Sequence, residues 1–175
     1  MPPRRRSAGL LLFRVTPGNG LEVLLGHLGG PFWARRDAGA WTVPKGEYEP
    51  PEEARDAAPR EFREELGVEP PAGERLPLGE VRQSGGKTVT AWAVEGDLDP
   101  ASVVPGTFTM EWPPRSGILR AFPELDRVEW FPVARARAKL VRAQAVFLDR
   151  LRDRLRDRLR ERRPAAGEPE PGGPG

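Results

Sequence analysis

The chain has 175 residues, no cysteine and one histidine, His27. That excludes a disulfide framework, a thiolate zinc site, a cysteine nucleophile and any metal site built on several imidazoles. With Cys absent and His nearly so, acid, base and metal-ligand work falls mainly on the 26 carboxylates; of the 28 basic residues only Lys45, Lys87 and Lys139 are lysines.

The length suits one domain. Residues 1–6, with three consecutive arginines, read as a flexible arm. The apolar run after them ends at Arg14 and is shorter than the roughly 7 to 15 residues of an export signal. No apolar stretch is long enough to span a membrane, so a cytoplasmic protein is expected. Residues 10–15 and 21–27 read as strands joined by the turn cluster Thr16-Pro-Gly-Asn-Gly20. A glycine-rich loop, 29–40, carries Phe32, Trp33, Arg35 and Arg36. A helix is predicted over 52–66, started by Pro50-Pro51 and stopped by Gly67. Residues 79–83 and 87–94 pair as a hairpin around Ser84-Gly85-Gly86, and 127–131 form a short strand.

From Val133 the pattern is helical to Arg163, and the last segment of it, 151–163, reads as an arginine-rich helical extension. Residues 164–175 (PAAGEPEPGGPG) lack the apolar side chains of a core and are expected to be disordered. Strands mixed with helices predict an α/β domain over 7–150, its helices covering a mixed β-sheet.

Charge is segregated along the chain. Residues 47–80 hold eleven acids against four arginines, whereas 135–163 hold twelve bases against four acids. Each block needs its own reading.

The acidic block contains the informative pattern. On a helix at about 100° per residue, Glu61, Glu64 and Glu65 fall on one face, beside an apolar face carrying Ala58, Phe62 and Leu66. Like charges at these spacings weaken a helix by a few tenths of a kcal/mol per pair. A solvated acidic face is one account of them. Oxygen ligands for a hard divalent cation are the other. Arg60 lies four residues before Glu64, within reach to orient a carboxylate.

The wider spacing favours the second account. Gly46, Glu52, Arg60, Glu61, Phe62, Glu64, Glu65, Gly67 and Val68 fill every fixed position of the Nudix box. Over 46–68 the chain therefore resembles the Nudix hydrolase family, with the surrounding elements suiting the Nudix α/β/α sandwich. One departure is Pro59, where the family usually has an ordinary helix former. The helix either tolerates it or kinks there.

The resemblance implies a pyrophosphohydrolase that cleaves a phosphoanhydride bond of a nucleoside diphosphate derivative with Mg²⁺ or Mn²⁺. It implies that Glu61, Glu64 and Glu65 hold metal, that the Lys45 backbone carbonyl is a further ligand, and that Glu61 is the usual general base, with Glu64 and Arg60 supporting catalysis. Family members often add an acid from a later loop, and Glu111, in Thr109-Met-Glu-Trp-Pro-Pro-Arg115, is the expected one.

Trp41-Thr-Val-Pro-Lys45-Gly46 resembles the lead-in of Nudix hydrolases that act on diadenosine polyphosphates. A dinucleoside polyphosphate is thus the first substrate expected, ahead of a nucleoside triphosphate. A catalytically weak nucleotide sensor on the same fold is the alternative, motivated by Pro59 and the long C-terminal helix. Candidate substrate contacts are Lys45, Trp33, Arg35, Arg36, Trp41 and Lys87, with Arg82 weaker. Trp33 suits a stacked base and the arginines suit phosphates. Trp41 also suits packing under the sheet edge, and His27, ending a strand, suits a structural role. In the C-terminal helix Phe147, Leu148, Leu151, Leu155 and Leu159 recur at helical spacing. That stripe leaves a homodimer contact open, and the basic charge leaves RNA binding open.

Overall fold

The computed structural model describes residues 4–163. Residues 1–3 and the 164–175 tail, read above as flexible and disordered, lie outside the described residues. β1 (Arg6–Thr16) is buried continuously from Ser7 to Phe13. A strand with helices on both faces has no solvent side, so its apolar residues run on instead of alternating. Leu10 and Leu12 point into one core with Ala58, Phe62 and Leu66. Leu11 and Phe13 point into the other, with Phe147, Leu148 and Leu151. This is the α/β/α sandwich.

β1 turns into β2 (Gly20–Leu28), and the two pair only over Phe13–Thr16 and Gly20–Val23. Beyond that they splay. Into the gap run β3 (Trp41–Thr42), paired with β2, and β4 (Lys45–Glu47), paired with β1. The sequence did not announce these two short strands, which lie where the box begins. After α1 (Ala54–Leu66), β5 (Arg75–Arg82) and β6 (Thr88–Glu95) form the expected hairpin, with β6 parallel to β1. β7 (Thr107–Glu111) and β8 (Leu119–Pro123) make a separate two-stranded ribbon, also unanticipated. β9 (Leu125–Pro132) returns to pair with β2, completing a mixed seven-stranded sheet with β5 at one edge.

α1 is continuous through Pro59. Proline there has no N–H for the carbonyl four residues back, yet the ring is buried together with Ala57 and Ala58, so packing holds the segment helical. The helix stops where Gly67 adopts φ 66°, its N–H donating to the Arg63 carbonyl at 2.8 Å.

The single helix expected over 133–163 is instead broken into α2 (Val133–Lys139) and α3 (Val146–Glu161). The break has a clear cause. Leu140 is extended, and the Val141 N–H donates to the Trp41 carbonyl at 2.8 Å, so the chain borrows a sheet partner there. Gln144, fully buried in the turn, accepts from the Val43 N–H at 2.9 Å and donates to Thr42 Oγ1 at 2.9 Å. Helical periodicity cannot report such a bond.

α3 then lies along the edge strand. Arg150 donates to the carbonyls of Leu78 (2.9 Å) and Glu80 (3.0 Å), and Arg154 to that of Pro77 (3.0 Å). Phe147, Leu148 and Leu151 are buried, Leu155 is partly so, and only Leu159 of the stripe is exposed. The stripe thus serves the chain's own core. No helix among the described residues is long and apolar enough to cross a membrane.

Candidate active site

The site is built where β4 meets α1. Arg60 is its organiser. Its Nε and Nη2 donate to the two carboxylate oxygens of Glu52, each at 2.7 Å. Its Nη1 donates to Glu61 Oε1 at 2.8 Å and Glu64 Oε2 at 3.1 Å. A planar fork with several donors can do this; a lysine ammonium cannot. The guanidinium holds the Glu52 carboxyl below the usual carboxylate range and is itself pushed further up by these partners.

Glu61 is 8 % exposed, and burial raises its carboxyl against the opposing pull of Arg60. It lies against Gly46: a Cβ built there would fall 1.7 Å from Glu61 Oε2. One turn on, burial pushes the Glu65 carboxyl up and the Lys45 ammonium down, and the charges of Glu124 and Glu61 add to the effect on Glu65. Glu65 Oε2 is buried without a hydrogen-bond partner. A buried carboxylate oxygen left bare is costly unless a cation or donor meets it. An all-oxygen donor set with such an orphan fits a hard divalent cation.

In this conformation no three acids among the described residues are drawn into a closed metal-binding group. Arg60 holds Glu61 and Glu64 toward itself, while Glu61, Glu64, Glu65 and Glu124 line a small cavity of about 170 Å³. A larger cavity of about 530 Å³ is lined by Glu47, Glu61, Glu65 and Glu124 together with Arg5, Lys45 and Lys87.

A model of the NUDIX domain matches residues 3–151. The chain belongs to the Nudix family. Nudix family members are hydrolases that act on phosphoanhydride bonds. Among solved structures, the C. elegans Ap4A hydrolase binary complex matches with a TM-score of 0.62 at 21% identity, covering 86% of this chain and 98% of that one. A mutT/nudix family protein from Listeria innocua matches with a TM-score of 0.59 at 18% identity, covering 92% and 99%. The NUDIX domain of Shewanella oneidensis NrtR, complexed with ADP ribose, matches with a TM-score of 0.58 at 16% identity, covering 89% and 90%. At these identities the likeness concerns the fold. No curated protein matches the chain.

The remaining candidates divide. Lys45 and Lys87 stand in the Nudix cavity. Glu111 does not: it ends β7, exposed and paired with Leu119 in the ribbon. Glu124 lines both carboxylate cavities instead. The Glu124 N–H donates to the Gly106 carbonyl at 2.8 Å, and the Gly106 N–H to the Glu65 carbonyl at 3.3 Å, tying this turn to the end of α1. That link joins residues distant in sequence, so no local pattern announces it.

Trp41 is a core residue, 1% exposed, edge-on to Phe131 at 4.8 Å, and cannot stack a base. Trp33 leans on the same core, with the Arg36 guanidinium 5.5 Å from its ring. Arg35 and Arg36 are exposed, and none of the three lines the carboxylate cavities. Arg82, at the end of β5, is likewise exposed and away from those cavities. His27 is fully buried, its Nε2 donating to the Arg36 carbonyl at 2.6 Å and its Nδ1 2.9 Å from Asp126. It braces the 29–40 loop.

Proposed function

We propose that this Nudix hydrolase is a Mg²⁺- or Mn²⁺-dependent pyrophosphohydrolase of nucleotides, with a dinucleoside polyphosphate the first substrate and a nucleoside triphosphate the second. The observation that carries this is the mixed lining of one cavity of about 530 Å³, where Glu61, Glu65 and Glu124 stand together with Arg5, Lys45 and Lys87. A phosphate chain with its cation needs both kinds of group. In this reading Glu61, Glu64, Glu65 and Glu124, with the Lys45 carbonyl, would hold the cation. When bound, it neutralises phosphate charge and lowers the pKa of a water. The chain's own residues do the rest. Arg60 sets the Glu61 and Glu64 carboxylates, Glu61 takes the proton of the attacking water, and Lys45 and Lys87 bind phosphate oxygens.

The lead-in from Trp41 to Gly46 supports the dinucleoside polyphosphate, and the C. elegans neighbour is an Ap4A hydrolase. The sensor alternative rests on Pro59 and the long C-terminal helix; the continuity of α1 through Pro59, with Arg60 engaged by Glu52, supports the enzymatic reading over it.

Glu64→Gln and Glu65→Gln are each expected to reduce kcat by at least about 100-fold, the scale of losing one charge-stabilising group, with unfolding midpoints near wild type. Wild-type turnover persisting in excess EDTA would overturn the reading.

A further inference from the structure

Arg4-Arg5-Arg6 reads in sequence as the end of a loose arm. In the fold it is anchored. The Thr88 N–H donates to the Arg5 carbonyl at 3.0 Å, and the Tyr48 N–H to the Arg6 carbonyl at 3.1 Å. Ser7 pairs with Glu47 across β1 and β4, and Arg6 with Thr88 across β1 and β6. Three strand ends therefore deliver Arg5, Glu47 and Lys87 to one spot on the cavity wall. There a single oxygen, Glu47 Oε1, receives both cations, Arg5 Nη2 at 2.6 Å and Lys87 Nζ at 3.1 Å.

Two features make this more than a surface ion pair. Lys45 stands beside Lys87, so three cations, Arg5, Lys45 and Lys87, gather about the one Glu47 carboxylate, and a phosphate that displaces Glu47 meets all three. The ion pair's contribution to folding is also small, because Arg5 and Glu47 side chains are 71% and 44% exposed. Arg5 and Glu47 also line a second cavity of about 440 Å³, with Arg4, Arg6, Tyr48 and Glu49, so the two cavities share these two residues.

We propose that Arg5 and Lys87 form a distal phosphate subsite that reads the length of the substrate's phosphate chain, and that Glu47 occupies those cations until a phosphate displaces it. The proposal rests on the pyrophosphohydrolase reading and adds chain-length preference to it. A guanidinium–phosphate pair is charge-assisted and two-pronged, so only a phosphate that reaches it gains from it. Glu47 is a positioning residue whose charge competes with substrate.

The test compares adenosine di-, tri- and tetraphosphate on the wild-type chain, Arg5→Ala, Arg5→Lys and Glu47→Gln. Turnover is measured with Mg²⁺, and binding separately by calorimetry. For Arg5→Ala the loss of kcat/KM on the tetraphosphate should exceed that on the diphosphate by about tenfold or more, with Arg5→Lys recovering part of it. Glu47→Gln should lower KM for the tetraphosphate by more than for the diphosphate, since a charge that competes with the distal phosphate is removed. Equal losses along the series for Arg5→Ala, or a raised KM for Glu47→Gln, would overturn the subsite. If the wild type hydrolyses none of the three, the enzymatic reading is what fails, and the calorimetric series still decides the subsite by the same ratio.

Discussion

Gly46 and Glu61 share one volume: a Cβ on residue 46 would lie 1.7 Å from Glu61 Oε2 and 2.1 Å from its carboxyl carbon. The glycine of the box is therefore a steric requirement of the carboxylate. No unusual backbone angle demands it, since Gly46 is not among the positive-φ residues. Gly46→Ala should fold normally but displace Glu61, costing about 100-fold or more in kcat/KM, the scale of a misplacement near 1 Å. Steady-state kinetics beside a far-ultraviolet spectrum check this. Wild-type kinetics would show that Glu61 is free to move aside.

Arg60 binds Glu52, Glu61 and Glu64 together, so these residues should behave as a unit. Arg60→Ala should weaken apparent Mg²⁺ affinity by about 10–100-fold, as for other residues that orient ligands. Glu52→Gln should act in the same direction by releasing the fork. Because both changes undo one arrangement, the double variant should lose less than the product of the two. A metal titration of activity on the four proteins completes the cycle.

Arg150 and Arg154 cover carbonyls of β5, the sheet edge. An uncovered edge is a template for pairing with another chain. Arg150→Ala with Arg154→Ala should lower stability by about 1–3 kcal/mol for the bonds lost and increase concentration-dependent self-association. Urea unfolding and light scattering read the two effects. Unchanged values in both would mean that the apolar stripe of α3 alone seals the edge.

Asp37 supplies a pH dependence. It accepts from the Lys139 ammonium and from Trp41 Nε1 (2.9 Å), and these partners hold its carboxyl below the ordinary aspartate value. A depressed folded-state pKa gives stability that is present above the unfolded value of about 3.9 and is lost as pH falls through the folded value. Asp37→Asn should therefore be less stable than wild type at pH 7, with the gap closing below about pH 4. A gap constant from pH 7 to pH 3 would contradict the ion pair's role.

What the sequence disclosed and what it hid follow from the range of each signal. The box is local: one helix turn spaces Glu61, Glu64 and Glu65, so the acid cluster was legible, as were the longer strands and the α1 stop at Gly67. Contacts between distant segments were not. Glu124 reaches the site through hydrogen bonds with Gly106 and Gly29, which left Glu111, nearer a suggestive proline-rich stretch, as the apparent choice. Arg5 looked like part of a tail because β1 begins with charged residues, and its partner strand lies some eighty residues on. Trp41 and Gln144 carry no surface pattern, yet their backbone and side-chain bonds break the C-terminal helix and fix the strand before Lys45.

The most direct test of the central claim is hydrolysis in ¹⁸O water with Mg²⁺. Dinucleoside polyphosphates, nucleotide sugars, triphosphates and capped RNA are screened, with products resolved by mass spectrometry. The account predicts cleavage of an anhydride in a nucleotide, one ¹⁸O in one phosphate product, greatest kcat/KM on a dinucleoside polyphosphate, and loss of all turnover in EDTA. No turnover across the panel, or turnover that survives the chelator, would contradict it.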